Sequence, residues 1–403
     1  MKKDIKYLHL GLGAAILLFA GLIYAWSIFK APLRQEFSML TEENLSLTFT
    51  ISLIFFCLGG IFSGFLSGKL GYRIRLIFSA ILLGIGFFLI SQINPSSPRN
   101  VPVKLYIFYG VLSGFGVGIS YNTILGSVIK WFPDRAGFAS GVLLMSYGFG
   151  SLILGALASK LANAFGILQT FFILALSVPL AMIICTFLLK EPDKVQTQAN
   201  KDKLVSNEEK NYRPTEVLKD NFFWLFVLWT ILISSCGLMV IGNAAGIAEA
   251  FGAPAIIGLL ISVFNGLGRV ALGAVYDKFG DKRSVYINGF ILLLSGLLMY
   301  IGAKFNIFIP VLLGILACGM SYGGAPTLSS AIVKNRYGSE YYSLNLSMMN
   351  LQIIISATIG PSISVLLMKN SGGNFATSFF VIIIFSIISL LITKAMYLFS
   401  GIE

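Results

Sequence analysis

Long apolar runs separated by short polar breaks dominate the chain. Twelve runs stand out, at about 7–29, 45–67, 76–93, 105–128, 136–160, 168–189, 222–248, 254–276, 285–303, 307–333, 341–368 and 374–399. A helix needs about 20 apolar residues to cross a bilayer core, and these runs match that length. The pattern predicts an all-α membrane protein with twelve transmembrane helices in two sets of six. Residues 190–221 form the one long polar stretch, rich in Lys, Glu, Asn and Gln. The expected organisation is a six-helix half over 1–189, a linker over 190–221 with amphipathic parts, and a second half over 222–403. Lys2, Lys3 and Lys6 precede the first run, as in a secretory leader. That run is long enough to span, and similar runs follow, so it is read as the first span.

Composition sharpens this picture. Of 403 residues, 56% are apolar and 11% charged, against about 25% charged in soluble domains. A single soluble core cannot hide that much apolar surface, which excludes a large soluble enzyme. The net charge of +12 has a membrane explanation. With both termini assigned to the cytoplasm, the segments on that side hold 21 Lys and Arg, and the opposite loops hold 7. Such a bias orients a multi-pass protein of the cell (inner) membrane. Its partner is then the lipid bilayer, and nucleic acid is not expected. Cys57, Cys185, Cys236 and Cys318 lie in apolar runs, and His9 is the single histidine. Neither a disulfide framework, a metal set nor a cofactor is expected. His9 is read as an interfacial residue at the start of the first span. No HExxH, GxSxG or paired intramembrane acid is present, so no enzyme is expected.

A repeat divides the chain. Gly64-Phe-Leu-Ser-Gly68-Lys69-Leu-Gly71-Tyr-Arg73 follows the second run, and Gly273-Ala-Val-Tyr-Asp277-Lys278-Phe-Gly280-Asp-Lys282 follows the eighth. Gly71 and Gly280 are 209 positions apart. Two halves of like orientation imply a parallel pseudo-twofold repeat about the membrane normal. Glycines suit tight turns, and the cations suit the cytoplasmic surface. This loop pattern resembles the motif of the major facilitator superfamily. The resemblance implies a gating role for Lys69, Gly71 and Arg73 in one loop and for Asp277, Lys278 and Gly280 in the other. The first copy has Gly68 where the family carries its latching Asp, so Asp277 is the expected latch.

Three segments narrow the resemblance. They are Gly21-Leu-Ile-Tyr24-Ala-Trp26-Ser27-Ile-Phe-Lys30-Ala-Pro32, Gly118-Ile-Ser-Tyr121-Asn122 with Lys130-Trp-Phe-Pro-Asp-Arg135, and Asn265-Gly-Leu-Gly-Arg269. Together they resemble the oxalate/formate antiporter family and its monocarboxylate transporter relatives, which implies a small carboxylate as substrate.

Arg269 carries an argument of its own. It stands eight residues before Asp277, about 12 Å along a helix and thus near the middle of a core about 30 Å thick. A guanidinium there is costly unless paired. All 17 acids fall in loops or at span ends, so the partner is water, backbone, hydroxyls or an anionic ligand. A carboxylate fits the guanidinium fork. The equivalent first-half position is Gly60, so the charge is asymmetric. Ser262 and Asn265 share its helix face.

The resemblance adds further contacts. Tyr24, Tyr121, Tyr147 and Tyr322 fall where oxalate-type carriers line their cavity, and Cys318 falls where they have a Trp. Asn265 replaces the Asp of proton-coupled relatives. The eleventh-span stretch from Asn350 through Gln352 to Ser356 lacks the second cation of dicarboxylate carriers. One cation favours a monoanion. The small-x3-small runs Gly60–Gly64–Gly68 and Gly110–Gly114–Gly118 are read as packing surfaces.

The expected function is a secondary or facilitative carrier of a small carboxylate, monocarboxylate favoured, working by alternating access around Arg269. A proton or counter-anion is the expected co-substrate, the proton carried by the ligand's carboxyl or by Glu249. The alternatives are a dicarboxylate or other organic-anion antiporter, an efflux carrier and a carboxylate-binding sensor.

Overall fold

A computed structural model describes residues 2–95, 100–191, 211–258 and 260–399. Among the described residues every regular element is helical. Seven long apolar helices come first: α1 (Ile5–Glu36), α2 (Glu42–Leu66), α3 (Tyr72–Ser91), α4 (Val101–Trp131), α5 (Pro133–Phe165), α6 (Ile167–Leu188) and α7 (Asn221–Ile241). The 46-residue helix Leu260–Phe305 breaks at Gly280, where φ is 79°. It therefore supplies two spans, α8 (260–279) and α9 (281–305). The remaining helices are α10 (Phe308–Tyr337), α11 (Tyr342–Asn370) and α12 (Ala376–Leu398). Among the described residues eleven helices are long and apolar enough to cross a membrane, and division of the longest at Gly280 gives the twelve spans that the hydropathy pattern predicts.

Local chemistry sets the ends. Thr41 and Asn44 form a capping box that starts α2, satisfying N–H groups that a first turn leaves open. The Asp220 carboxylate accepts from the Phe222 amide at 2.9 Å and starts α7. Gly280 alone interrupts the run from α8 into α9, because its positive φ is one that L side chains rarely adopt. The turn expected across 277–284 is narrower than the sequence suggests, since Asp277, Lys278 and Phe279 stay helical.

Packing is the reverse of that in a soluble protein. Phe65, Ile309 and Val365 are 64, 67 and 70% exposed, as side chains facing hydrocarbon are. Ser52, Ser79, Thr123, Ser140 and Ser330 are fully buried. Small polar residues let helices approach and hydrogen-bond where lipid offers no hydrophobic drive.

The contacts define two compact units. One comprises Met1–Pro133, Ser146–Glu209 and Glu340–Met348. The other comprises Asp134–Met145, Lys210–Ser339 and Met349–Glu403. The first turns of α5 thus group with the second half of the chain, and those of α11 with the first half. Of the expected linker, residues 192–210 lie outside the described residues. Its flanks are tied down: Trp131 Nε1 donates to the Lys190 carbonyl at 2.9 Å, and the Tyr212 amide donates to the Tyr337 carbonyl at 3.0 Å.

Candidate functional site

In the second unit, α8 presents Arg269, which is 9% exposed. Its Nη1 donates to the backbone carbonyl of Leu144 on α5. Its buried Nε has no partner, and among the described residues no carboxylate pairs with it. A carbonyl is neutral, so the positive charge stays uncompensated. Leu144 is helical, and its oxygen has a second lone pair to offer. Of the candidate partners named from sequence, backbone is the one in place.

Other expected contacts surround this helix. Asn265 lies one turn earlier, its Oδ1 buried without a partner. A Cβ on Gly323 of α10 would sit 2.8 Å from that oxygen. Tyr322 precedes this glycine, lies within electrostatic reach of Arg269 and packs its ring over Gly237 of α7. Gln352 is buried on α11, and its Oε1 accepts from Ser356 Oγ at 2.8 Å. The same unit holds Asp277, whose two oxygens accept from the amides of Gly137 and Phe138 at 2.8 and 2.7 Å. These amides open α5, so the carboxylate caps a helix start and meets the positive end of its dipole. A cavity of about 290 Å³ adjoins this contact, lined by Asp134, Arg135, Phe138, Ala274, Asp277 and Lys278.

In the first unit three of the expected tyrosines form one cluster. The Tyr147 ring lies 5.2 Å from Tyr24 and 5.1 Å from Tyr121. Phe56, which sequence reasoning missed, completes it at 5.1 Å from Tyr121. Trp26 serves packing: it rests 4.2 Å from Tyr109 and donates to the Leu45 carbonyl at 2.7 Å. Lys69 and Arg73 are exposed, and Gly71 precedes the first turn of α3.

Burial adds detail to other residues. His9, near the start of α1, is 3% exposed and packs against the Trp131 ring at 4.8 Å. Lys30 lies in α1 and pairs with Glu42 at 2.5 Å. Ser262 and Glu249 are exposed. Cys318 is fully buried against the Cys236 carbonyl, so it fills space between α10 and α7.

Comparison with known proteins gives the class. The family model described as the Major Facilitator Superfamily matches residues 11–245 and 227–400. The chain belongs to this superfamily, and it is a multi-pass membrane transporter, not an enzyme. It is 28% identical over 381 residues to the oxalate:formate antiporter of Oxalobacter formigenes, covering 92% of this chain and 86% of that one. It is 27% identical over 349 residues to the MFS-type transporter YhjX of Escherichia coli, covering 85% and 82%. It is 22% identical over 267 residues to monocarboxylate transporter 4 of Gallus gallus, covering 64% and 56%. Among solved structures, the proton:xylose symporter XylE superposes with a TM-score of 0.75 at 15% identity, covering 98% of this chain and 96% of that one. FucP in its outward conformation gives 0.70 at 15%, covering 96% and 98%. These structures share the fold.

Proposed function

We propose that this transporter carries a small monocarboxylate by alternating access, with Arg269 as the anion anchor. The observation that carries the reading is the guanidinium itself: buried, bonded to one neutral carbonyl, and with Nε unused. A carboxylate presents two oxygens to this fork and competes with Leu144 for it. Asn265, Tyr322 and Gln352, together with Tyr24, Tyr121 and Tyr147, are the further substrate contacts in this reading. Asp277, Lys278 and Gly280, with Lys69, Gly71 and Arg73, belong to the gate, and both termini lie in the cytoplasm. A bare cation resists occlusion, so substrate exchange for a counter-anion, or entry with a proton, is favoured over empty return.

One cation also sets the charge preference. A monoanion neutralises Arg269, whereas a dianion leaves a second charge unpaired in low dielectric. The relative in Oxalobacter favours the second reading, a dicarboxylate antiporter, because its name includes oxalate as well as formate. Thermal shift of purified protein separates the two. Acetate, formate or lactate should raise the melting temperature more than oxalate or succinate at equal concentration, since ligands stabilise by mass action. Arg269→Gln should abolish both the shift and the flux into vesicles while the protein stays in the membrane. Tighter binding of oxalate to the unmodified protein would refute the one-cation argument. Retained flux in Arg269→Gln would refute the anchor.

A further inference from the structure

Asn122 belongs to the first unit and to none of the groups above. It follows Tyr121 on α4 and is 1% exposed. Its Nδ2 donates to the Gly60 carbonyl of α2 at 2.6 Å and to the Ser343 carbonyl of α11 at 2.7 Å. The same nitrogen meets Ser347 Oγ. The Ser347 hydroxyl spends its own proton on the Ser343 carbonyl at 2.7 Å, so toward Asn122 it is an acceptor. Every group facing this nitrogen therefore demands a donor. Turning the amide round would set its oxygen against two carbonyl oxygens. The Oδ1 has no partner, which agrees with an orientation chosen by the nitrogen alone.

The backbones here are close enough for one short side chain to join three helices. A Cβ on Gly60 would lie 3.3 Å from Ser347 Oγ, and one on Gly64 would lie 2.8 Å from the Leu344 Cα. The loop after α2 has Gly68 where the other copy has Asp277, and nothing lies within 4 Å of a Cβ placed there. Position 68 therefore offers the α11 docking no counterpart of the Asp277 carboxylate.

We propose that Asn122 is the positioning residue that fastens the first turns of α11 to α2 and α4, and releases them when the transport cycle separates these turns. The fastening is made of amide-to-carbonyl bonds and carries no net charge, so neither making nor breaking it moves an ion out of water. This does not depend on which anion is carried.

The test uses the full chain in detergent and an impermeant maleimide, with the parent protein as the blank for native cysteines. One reporter is Leu344→Cys, at the α11 contact. The other is Ser140→Cys in the second unit. Asn122→Leu removes both donors and should speed alkylation of the first reporter about tenfold, equivalent to about 1.4 kcal/mol. Asn122→Ser keeps one donor and should fall between parent and Leu. The second reporter should not change. An unchanged rate at Leu344→Cys in a folded variant would overturn the proposal, as would equal acceleration of both reporters, which is the mark of general loosening. If Asn122→Leu fails to fold, Asn122→Ser decides the matter by the same two readouts.

Discussion

Residues 134–145 open α5, and residues 340–348 begin α11. Each stretch docks in the compact unit opposite to the rest of its own helix. At α5 the partner atoms are backbone N–H groups, and a carboxylate, Asp277, accepts from two of them. At α11 the partner atoms are carbonyl and hydroxyl oxygens, and an amide, Asn122, donates to them. Asp and Asn are nearly the same shape, so sterics do not decide which stands where. The sign of the facing atoms does. The α5 docking also has the Ser140–Ser330 hydroxyl pair at 2.8 Å and the Arg269 bond to Leu144, so a potential ligand anchor and a helix contact share one helix there. On the α11 side the buried cation is Arg75 of α3, whose Nη1 donates to the Ser63 carbonyl of α2 at 3.2 Å and to Ser63 Oγ at 3.3 Å. If the anion anchor is Arg269, ligand arrival is felt first at α5, through the carbonyl it displaces.

The largest expected effect comes from removing the close approach that makes the α5 docking possible. A Cβ on Gly273 would clash with the Gly137 carbonyl oxygen, and the reverse holds for Gly137. Both obstacles are backbone and cannot swing aside. Overpacking of this kind costs about 1–3 kcal/mol. Gly273→Ala should therefore expose Ser140→Cys to maleimide tenfold or more faster, by the usual ratio of about 1.4 kcal/mol per decade. Leu344→Cys should keep its rate. Acceleration at Leu344→Cys as well would mean that the two dockings are one cooperative contact, and the comparison would lose its meaning.

Next in size is Asp277→Asn. The variant keeps one acceptor oxygen but turns an NH₂ toward the second backbone N–H. It also loses the charge that favours a helix start. A lost hydrogen bond to a charged group is worth about 1.5–3 kcal/mol, less where solvent reaches it, and Asp277 is half-buried. The Ser140→Cys rate should rise several-fold. No rise would show that glycine packing alone holds α5, and that the carboxylate is an onlooker.

What could be read in advance follows the same physics. Hydropathy finds spans because lipid contact is averaged over a whole helix, and the twelve spans emerge at nearly the expected places. Arg269 is legible because a guanidinium in a long apolar run has few explanations. The Tyr24–Tyr121–Tyr147 cluster is legible through motif positions on three helices. Asn122 is not, although it sits inside a quoted motif. Its partners are backbone oxygens of residues 62 and 221 positions away, and a carbonyl leaves no mark on a sequence. Leu144 is hidden for the same reason. The loop after α8 has no sharp edge in the sequence, because Asp277, Lys278 and Phe279 are all compatible with helix and the break there is a single positive φ at Gly280. Burial of His9 depends on the ring of Trp131, 122 residues further along, which hydropathy cannot see.

The smallest effect is also the most diagnostic. Gly68 is exposed, and a Cβ there meets nothing within 4 Å, so Gly68→Asp adds a carboxylate without strain. Position 68 is the counterpart of 277 at the 209-residue offset of the repeat. A carboxylate near the start of α11 would meet the positive end of that helix, worth about 0.3–1 kcal/mol at an exposed position. In the parent protein, where Asn122 already holds α11, the change in Leu344→Cys alkylation should be a slowing of no more than a few-fold. In the Asn122→Ser background the same substitution should recover part of the lost protection, because it supplies the acid latch that the other docking uses. The recovery should fade in high salt, which screens exposed charges, while the protection given by Asn122 in the parent should not. If Gly68→Asp protects equally well with Asn122 present or replaced, the two devices act on different contacts, and Asn122 is not standing in for the missing acid. If protection by Asn122 itself fades with salt, its bonds are not the neutral fastening that the carbonyl partners require.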